Sequence, residues 1–224
     1  MLLVMSEDVL GHNGQATLDP ARLAWFVHHR PAWLVAAARD VTKLGSPAVL
    51  GLVAVVAAAV LLWRGQRVVV AIAPGVALGV TAVLVAASKV LVDRARPDMS
   101  IRLVTETEAS FPSGHSADSA ALLLTLAVVV AAVVLRRPAA RLALVAAAAI
   151  GSGLIGLSRL LLAAHWPTDV IAGWALGTVI ASLVATTALM AVRLVPTAPT
   201  SSGLVERVHS VLNWRRQGLA ASTV

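Results

Sequence analysis

Five uncharged, apolar runs divide this chain: Leu44 to Trp63, Val68 to Ser88, Ser119 to Leu135, Leu142 to Ser158 and Val170 to Val192. Each approaches the roughly 17 to 25 residues that carry an α-helix across the hydrocarbon core of a bilayer. In lipid every backbone N–H and C=O has to be bonded inside the protein, which leaves helices and closed barrels as the spanning solutions. The runs are rich in Ala, Val and Leu and are longer than the roughly ten alternating residues of a barrel strand. Composition agrees, because 58% of the 224 residues are hydrophobic and only 13% are charged, far from a soluble domain. The expected fold is all-α: a polytopic transmembrane helical bundle of about five spans, with a sixth left open.

The gaps between runs are short except for the stretch from Lys89 to Asp118, so one membrane-embedded domain is expected over residues 20–195. Residues 1–19 hold no apolar run of spanning length and lack the basic start and apolar middle of a signal peptide; they are expected to form a mobile tail. From Pro31 onward, Leu34, Ala37, Ala38, Val41 and Leu44 recur at helical spacing while Arg39, Asp40 and Lys43 fall elsewhere. That pattern predicts an amphipathic helix lying in the membrane interface, where Trp25 and Trp33 would suit the headgroup layer. Pro196 and Pro199, followed by Thr200, Ser201 and Ser202, break helicity, and Arg207, Arg215 and Arg216 make residues 196–224 a basic tail. There is no internal repeat.

The excess of 18 Lys and Arg over 11 Asp and Glu comes without the basic and aromatic stripe of a nucleic-acid binder, so nucleic acid is not an expected partner. Membrane orientation accounts for it better. If five spans alternate, the loops holding Arg64 and Arg67, then Arg136, Arg137 and Arg141, share a side with the basic tail, and the positive-inside rule makes that side cytoplasmic. The other side carries as many cations but also nearly all the acids. With zero cysteines there is no disulfide, no thiolate chemistry and no cysteine-ligated metal.

Three polar clusters interrupt the apolar chain, all at span ends on the predicted extracytoplasmic side. The first is Lys89 with Arg96 and Pro97. An isolated Lys there more often snorkels to the headgroups, but Lys as a point charge and Arg as a planar fork also make a phosphate clamp. The second is Pro112, Ser113, Gly114 and His115 just ahead of a span, a tight backbone whose free N–H groups suit an anion, with Ser113 as N-cap. The third is Ser158 and Arg159, then His165 and, four residues on, Asp169 in the first turn of the last helix, which Pro167 opens. A carboxylate there can hold one imidazole nitrogen and leave the other as a nucleophile. Each cluster alone has an ordinary structural explanation; three on one face of the membrane do not.

In these residues and their order the chain resembles the type 2 phosphatidic acid phosphatases, whose signature is shared with bacterial haloperoxidases and acid phosphatases. The resemblance covers roughly residues 33–192. It implies an integral membrane lipid phosphatase, without cofactor or metal, in which His165 attacks phosphorus, Asp169 orients it and His115 protonates the leaving oxygen through a phosphohistidine cycle. It further implies that Lys89, Arg96, Ser113, Gly114 and Arg159 hold the phosphoryl oxygens. His12, His28, His29 and His209 are expected to take no part. Many bacterial members have six spans, and here the first is replaced by the amphipathic segment.

Partners are then membrane lipids and a lipid phosphate substrate: phosphatidate, phosphatidylglycerol phosphate, a polyprenyl diphosphate or a polyprenyl-phosphoryl sugar phosphate. The second class of function is a non-catalytic lipid-phosphate binder or transporter. A transport pathway would place charges near mid-span, whereas these lie at span ends.

Overall fold

A computed structural model describes residues 14–194 together with Gly11. Among these residues a 3-10 turn, Gly14–Leu18, precedes seven α-helices and there is no strand. In order the helices are α1 (Asp19–His28), α2 (Ala32–Leu44), α3 (Pro47–Trp63), α4 (Val68–Val92), α5 (Gly114–Val133), α6 (Pro138–Leu161) and α7 (Pro167–Leu194). Local chemistry sets several boundaries. Ser46 caps α3 by accepting from Val49 N at 3.4 Å, and Pro47, Pro138 and Pro167 open their helices where a missing N–H costs nothing. α4 closes on Asp93 in the left-handed region, whose N–H returns to Lys89 O at 3.0 Å.

The helices α4 to α7, of 25, 20, 24 and 28 residues, are each long and apolar enough to cross a membrane. Helix α3 has 17 residues, about 26 Å at 1.5 Å per residue, and meets α2 at a 49° bend. The anchors of residues 19–45 decide how that pair is used. Arg30 donates to Leu161 O and Ile101 O at 2.9 Å each, Thr42 Oγ1 accepts from Arg159 at 2.7 Å, and Gly45 packs against His115. All these contacts lie at the end of the bundle where α4 and α6 finish and α5 and α7 begin. The chain from α1 to Gly45 therefore stays at that end, and the bent pair α2–α3 supplies a fifth candidate span beside the four, in agreement with the expected bundle of about five.

Helix α5 is central, packed by α3, α4, α6 and α7. Small residues bring α7 onto it: a Cβ on Gly173 would lie 2.6 Å from Ser113 O, and one on Gly177 would lie 2.2 Å from Ala117 O. Such close backbone approach is how membrane helices gain packing when burial from water offers none. Because Gly173 meets Ser113 and Gly177 meets Ala117, the two helices run parallel with their N-termini side by side. That register sets the second and third polar clusters next to each other.

The expected tail over residues 1–19 ends otherwise than as a tail: Gly14–Leu18 is a turn, and Asp19 opens α1 with no exposed surface. The remainder of that stretch, and the basic tail over residues 196–224, lie outside the described residues.

Candidate active site

His165 sits in the short turn between α6 and α7 and is 1% exposed. Its Nδ1 lies 2.8 Å from Ser110 O. A carbonyl only accepts, so Nδ1 carries the proton and Nε2 keeps its lone pair. That lone pair faces Arg96, whose guanidinium nitrogen is 3.2 Å away. Asp169, in the first turn of α7 and fully buried, sets Oδ2 3.5 Å from Nδ1. The same oxygen accepts from Ser110 Oγ at 2.5 Å and from Trp166 N at 2.9 Å. Burial holds the His165 imidazole below its ordinary pKa, against the upward pull of Asp169, which favours the neutral ring.

Around this pair the cations converge. Arg96 donates from Nε to Glu108 O at 2.7 Å and from a terminal nitrogen to Ala164 O at 2.8 Å. Its other terminal nitrogen pairs with Glu106 at 2.8 Å. Arg159, 2% exposed at the end of α6, pairs with the same Glu106 carboxylate, and its Nε has no hydrogen-bond partner among the described residues. Lys89 pairs with Glu108 at 2.5 Å. The loop between α4 and α5 thus lays two carboxylates on three cations. Burial alone would raise the Glu106 carboxyl, but Arg159 and Arg96 outweigh it and hold it below its ordinary range, so it is ionised at neutral pH. The hydrogen bond from Lys89 does the same for Glu108.

Ser113 occupies the N-cap position of α5 with no surface exposed, yet its side chain makes no cap hydrogen bond. Its N–H is committed to Asp169 O at 3.0 Å, and its Oγ accepts from Ser116 Oγ at 3.1 Å, leaving its own proton to donate. Gly114 and His115 form the first turn of α5, where backbone N–H groups lack intrahelical partners. His115 and His165 line one cavity of about 410 Å³, together with Lys89, Glu106, Gly114 and Asp118.

The fold thus collects Lys89, Arg96, Ser113, Gly114, His115, Arg159, His165 and Asp169 at one end of the bundle. His28 and His29 end and follow α1, and His29 bonds Trp25 O at 2.8 Å and stacks on that indole. His12 and His209 lie outside the described residues. Four residues of the site escape a sequence reading: Ser110, Glu106, Arg94 and Asp19. Arg94 donates to Asp169 Oδ1 at 2.5 Å and to Asp19 Oδ2 at 2.7 Å. Only Arg94 carried a signal, as a second Arg two positions before Arg96; the rest are common polar residues whose partners are distant in sequence.

The sequence model of the PAP2 superfamily matches residues 70–193. Phosphatidylglycerophosphatase B of Bacillus subtilis (strain 168) is 28% identical over 160 residues, 69% of this chain and 75% of that protein. Among solved structures, a transmembrane PAP2-type phosphatidylglycerolphosphate phosphatase from Bacillus subtilis matches with a TM-score of 0.76 at 26% identity, over 83% of this chain and 91% of that one. LpxE of Aquifex aeolicus shares the fold, with a TM-score of 0.60 at 22% identity over 75% of this chain and 95% of that one.

Proposed function

This chain belongs to the PAP2 superfamily, and on that premise we propose that it hydrolyses the phosphomonoester or diphosphate of a lipid through a phosphohistidine on His165. The observation that carries this reading is the His165 ring itself: Nδ1–H is fixed on Ser110 O while the Nε2 lone pair faces the guanidinium of Arg96. A buried neutral imidazole aimed at a cluster of cations is a nucleophile aimed at an anion.

In the proposed cycle Nε2 attacks phosphorus and the bond from phosphorus to the leaving oxygen breaks. His115 gives that oxygen a proton. His115, now a base, takes a proton from water as the water attacks the phosphohistidine, releasing inorganic phosphate and restoring His165. Arg96, Arg159, Lys89, the Ser113 hydroxyl and the N–H groups opening α5 hold the phosphoryl oxygens, and Asp169 supports the positive charge that grows on the ring. The three cations take the part that divalent ions play elsewhere, so the cycle proceeds without metal. Because Glu106 already occupies Arg96 and Arg159, a phosphate dianion reaches them by replacing that carboxylate.

The substrate belongs with phosphatidylglycerol phosphate, phosphatidate or a polyprenyl diphosphate, and the site faces away from the cytoplasm. Purified protein in detergent, given a panel of these lipids in the presence of a strong chelator, should release phosphate from at least one. Absence of release from every member, or full release by His165→Ala, would overturn the reading in favour of a non-catalytic lipid-phosphate binder.

A further inference from the structure

Beyond the residues that would touch phosphate, Asp169 is held by a second layer of charge. Its Oδ1 takes the 2.5 Å bond from Arg94, whose side chain is 13% exposed. The other terminal nitrogen of Arg94 bonds Asp19 Oδ2 at 2.7 Å, and the Asp19 side chain is 1% exposed. Asp19 also accepts from Thr168 N at 3.1 Å and from the Thr168 hydroxyl, so it serves the open N-terminus of α7 from 149 residues away. Trp166 closes the other side, its ring centroid 5.6 Å from the Arg94 guanidinium.

The geometry points to Arg94 and Asp19 as positioning residues for the reaction proposed above. Arg94 fixes the rotation of the Asp169 carboxylate so that Oδ2 faces His165, and Asp19 offsets the Arg94 charge so that Asp169 keeps its hold on the imidazole.

Two physical arguments carry this. A carboxylate is free to turn about its last bond, and Ser110 and Trp166 both donate to Oδ2 alone. Arg94 is the donor that pins Oδ1. The chain Asp19–Arg94–Asp169 is also acid, base, acid: an unbalanced guanidinium on Asp169 would drain its attraction for His165, and the second carboxylate restores a net negative charge beside the ring. A helix staple alone would call for a salt bridge between α1 and α7; it would not call for the arginine to be shared with the carboxylate that lies against His165 Nδ1. The inference rests on the proposed roles of His165 and Asp169, and its test has a readout that does not depend on turnover.

The titratable and charged groups around His165 are Asp169 on α7, Arg159 on α6, His115 and Asp118 on α5, Lys89 on α4, and Arg96, Glu106 and Glu108 on the loop from α4 to α5, with Arg94 and Asp19 behind Asp169. Asp19→Asn removes a negative charge from this set and should lower the His165 titration midpoint, whereas Arg94→Gln removes a positive one and should raise it. Histidine-labelled protein in detergent, titrated by NMR with His165→Gln to assign the resonance, reads both. Removing one partner of a buried pair can unfold a protein, so the double variant Asp19→Asn with Arg94→Gln, a neutral pair of similar shape, is measured beside them. It should recover the thermal midpoint yet keep kcat depressed roughly a hundredfold with KM within about threefold of the parent. Opposite titration shifts with a kcat loss that survives restored folding support the assignment. An unmoved His165, shifts of the same sign, or recovery of kcat with folding would overturn it. Absence of phosphate release by the parent protein would fall on the proposed function, and the titration shifts would still decide whether the pair acts on His165.

Discussion

At the scale of single residues, the two histidines differ in what holds them, and their losses should differ too. His165 has Nδ1 fixed by Ser110 and Asp169, and in the proposed cycle its ring is the nucleophile: His165→Ala should lower kcat by roughly four to six orders of magnitude in phosphate-release assays. In the proposed cycle His115 is the proton donor, and its loss should then weigh on poor leaving groups. His115→Ala should depress hydrolysis of a lipid phosphate far more than hydrolysis of an activated aryl phosphate, and equal losses on both would remove it from that role. The pH profile follows from burial. His165 must be neutral to attack, and burial lowers its pKa from the ordinary 6.5, so the neutral form persists as pH falls through that value. The acid limb of kcat/KM should therefore lie below pH 6.5; a limb above it would mean that Asp169 outweighs burial. These two histidines were legible in the sequence because imidazoles at the ends of apolar runs stand out. Asp19 was not: an acid at the start of the first helix has no signature that names a distant partner, and its partner Thr168 is fixed only by the folded bundle.

Elements place these residues, and two of them offer direct tests. The loop from α4 to α5 presents Glu106 and Glu108 on alternate positions, so both carboxylates reach the cations from one strand of chain. Sequence spacing marked Lys89 and Arg96 as a clamp but could not show it already filled, since the length and composition of a loop do not fix where its side chains return. Glu106→Gln removes the anion that competes for Arg96 and Arg159, and KM for a lipid phosphate should fall about threefold to tenfold, on the order of 1 kcal/mol. A rise in KM would instead make Glu106 a support that the arginines need. The depressed pKa of Glu106 gives the sign with pH: its hold is present above the ordinary glutamate value and is lost as pH falls through the lowered one. The parallel contact of α5 and α7 is the second test. Gly177→Ala puts a methyl 2.2 Å from Ala117 O and should cost more than about 2 kcal/mol of stability. Gly153→Ala on α6, where a methyl meets nothing within 4 Å, should be neutral or stabilising by roughly 0.5–1 kcal/mol. Thermal unfolding in detergent compares the two. The spans themselves were readable from charge-free length, whereas helices α4 to α7 overrun them at one or both ends by two to five residues, in part because Lys89, His115, Arg159 and Asp169 sit inside helix ends.

For the whole molecule, the distribution of charge predicts which way it sits. The end opposite the site carries Arg64, Arg67, Arg136, Arg137, Arg141 and Arg193 with no acid in either connecting loop, and Arg67 reaches across to Val192 O at 3.1 Å. At the site end Lys43, Lys89, Arg94, Arg96 and Arg159 are each paired with an acid. The positive-inside rule therefore predicts the arginine end in the cytoplasm and the site outside. Because the chain holds no cysteine, single introduced thiols report on this without background. Thr105 is exposed on the loop over the site, Ala139 is exposed at the start of α6 at the opposite end, and Gln15 is exposed just ahead of α1. In intact cells Thr105→Cys should react with a membrane-impermeant maleimide, and Ala139→Cys should react only after lysis. Gln15→Cys separates the span counts. The anchors of Asp19, Arg30, Thr42 and Gly45 keep the described N-terminal segment at the site end, and five crossings then put that segment opposite the end of α7. Gln15→Cys should therefore label from outside together with Thr105→Cys. Protection of Gln15→Cys alone would mean that α2 and α3 do not divide as surface helix and span, and protection of both would reverse the orientation while leaving the bundle unchanged.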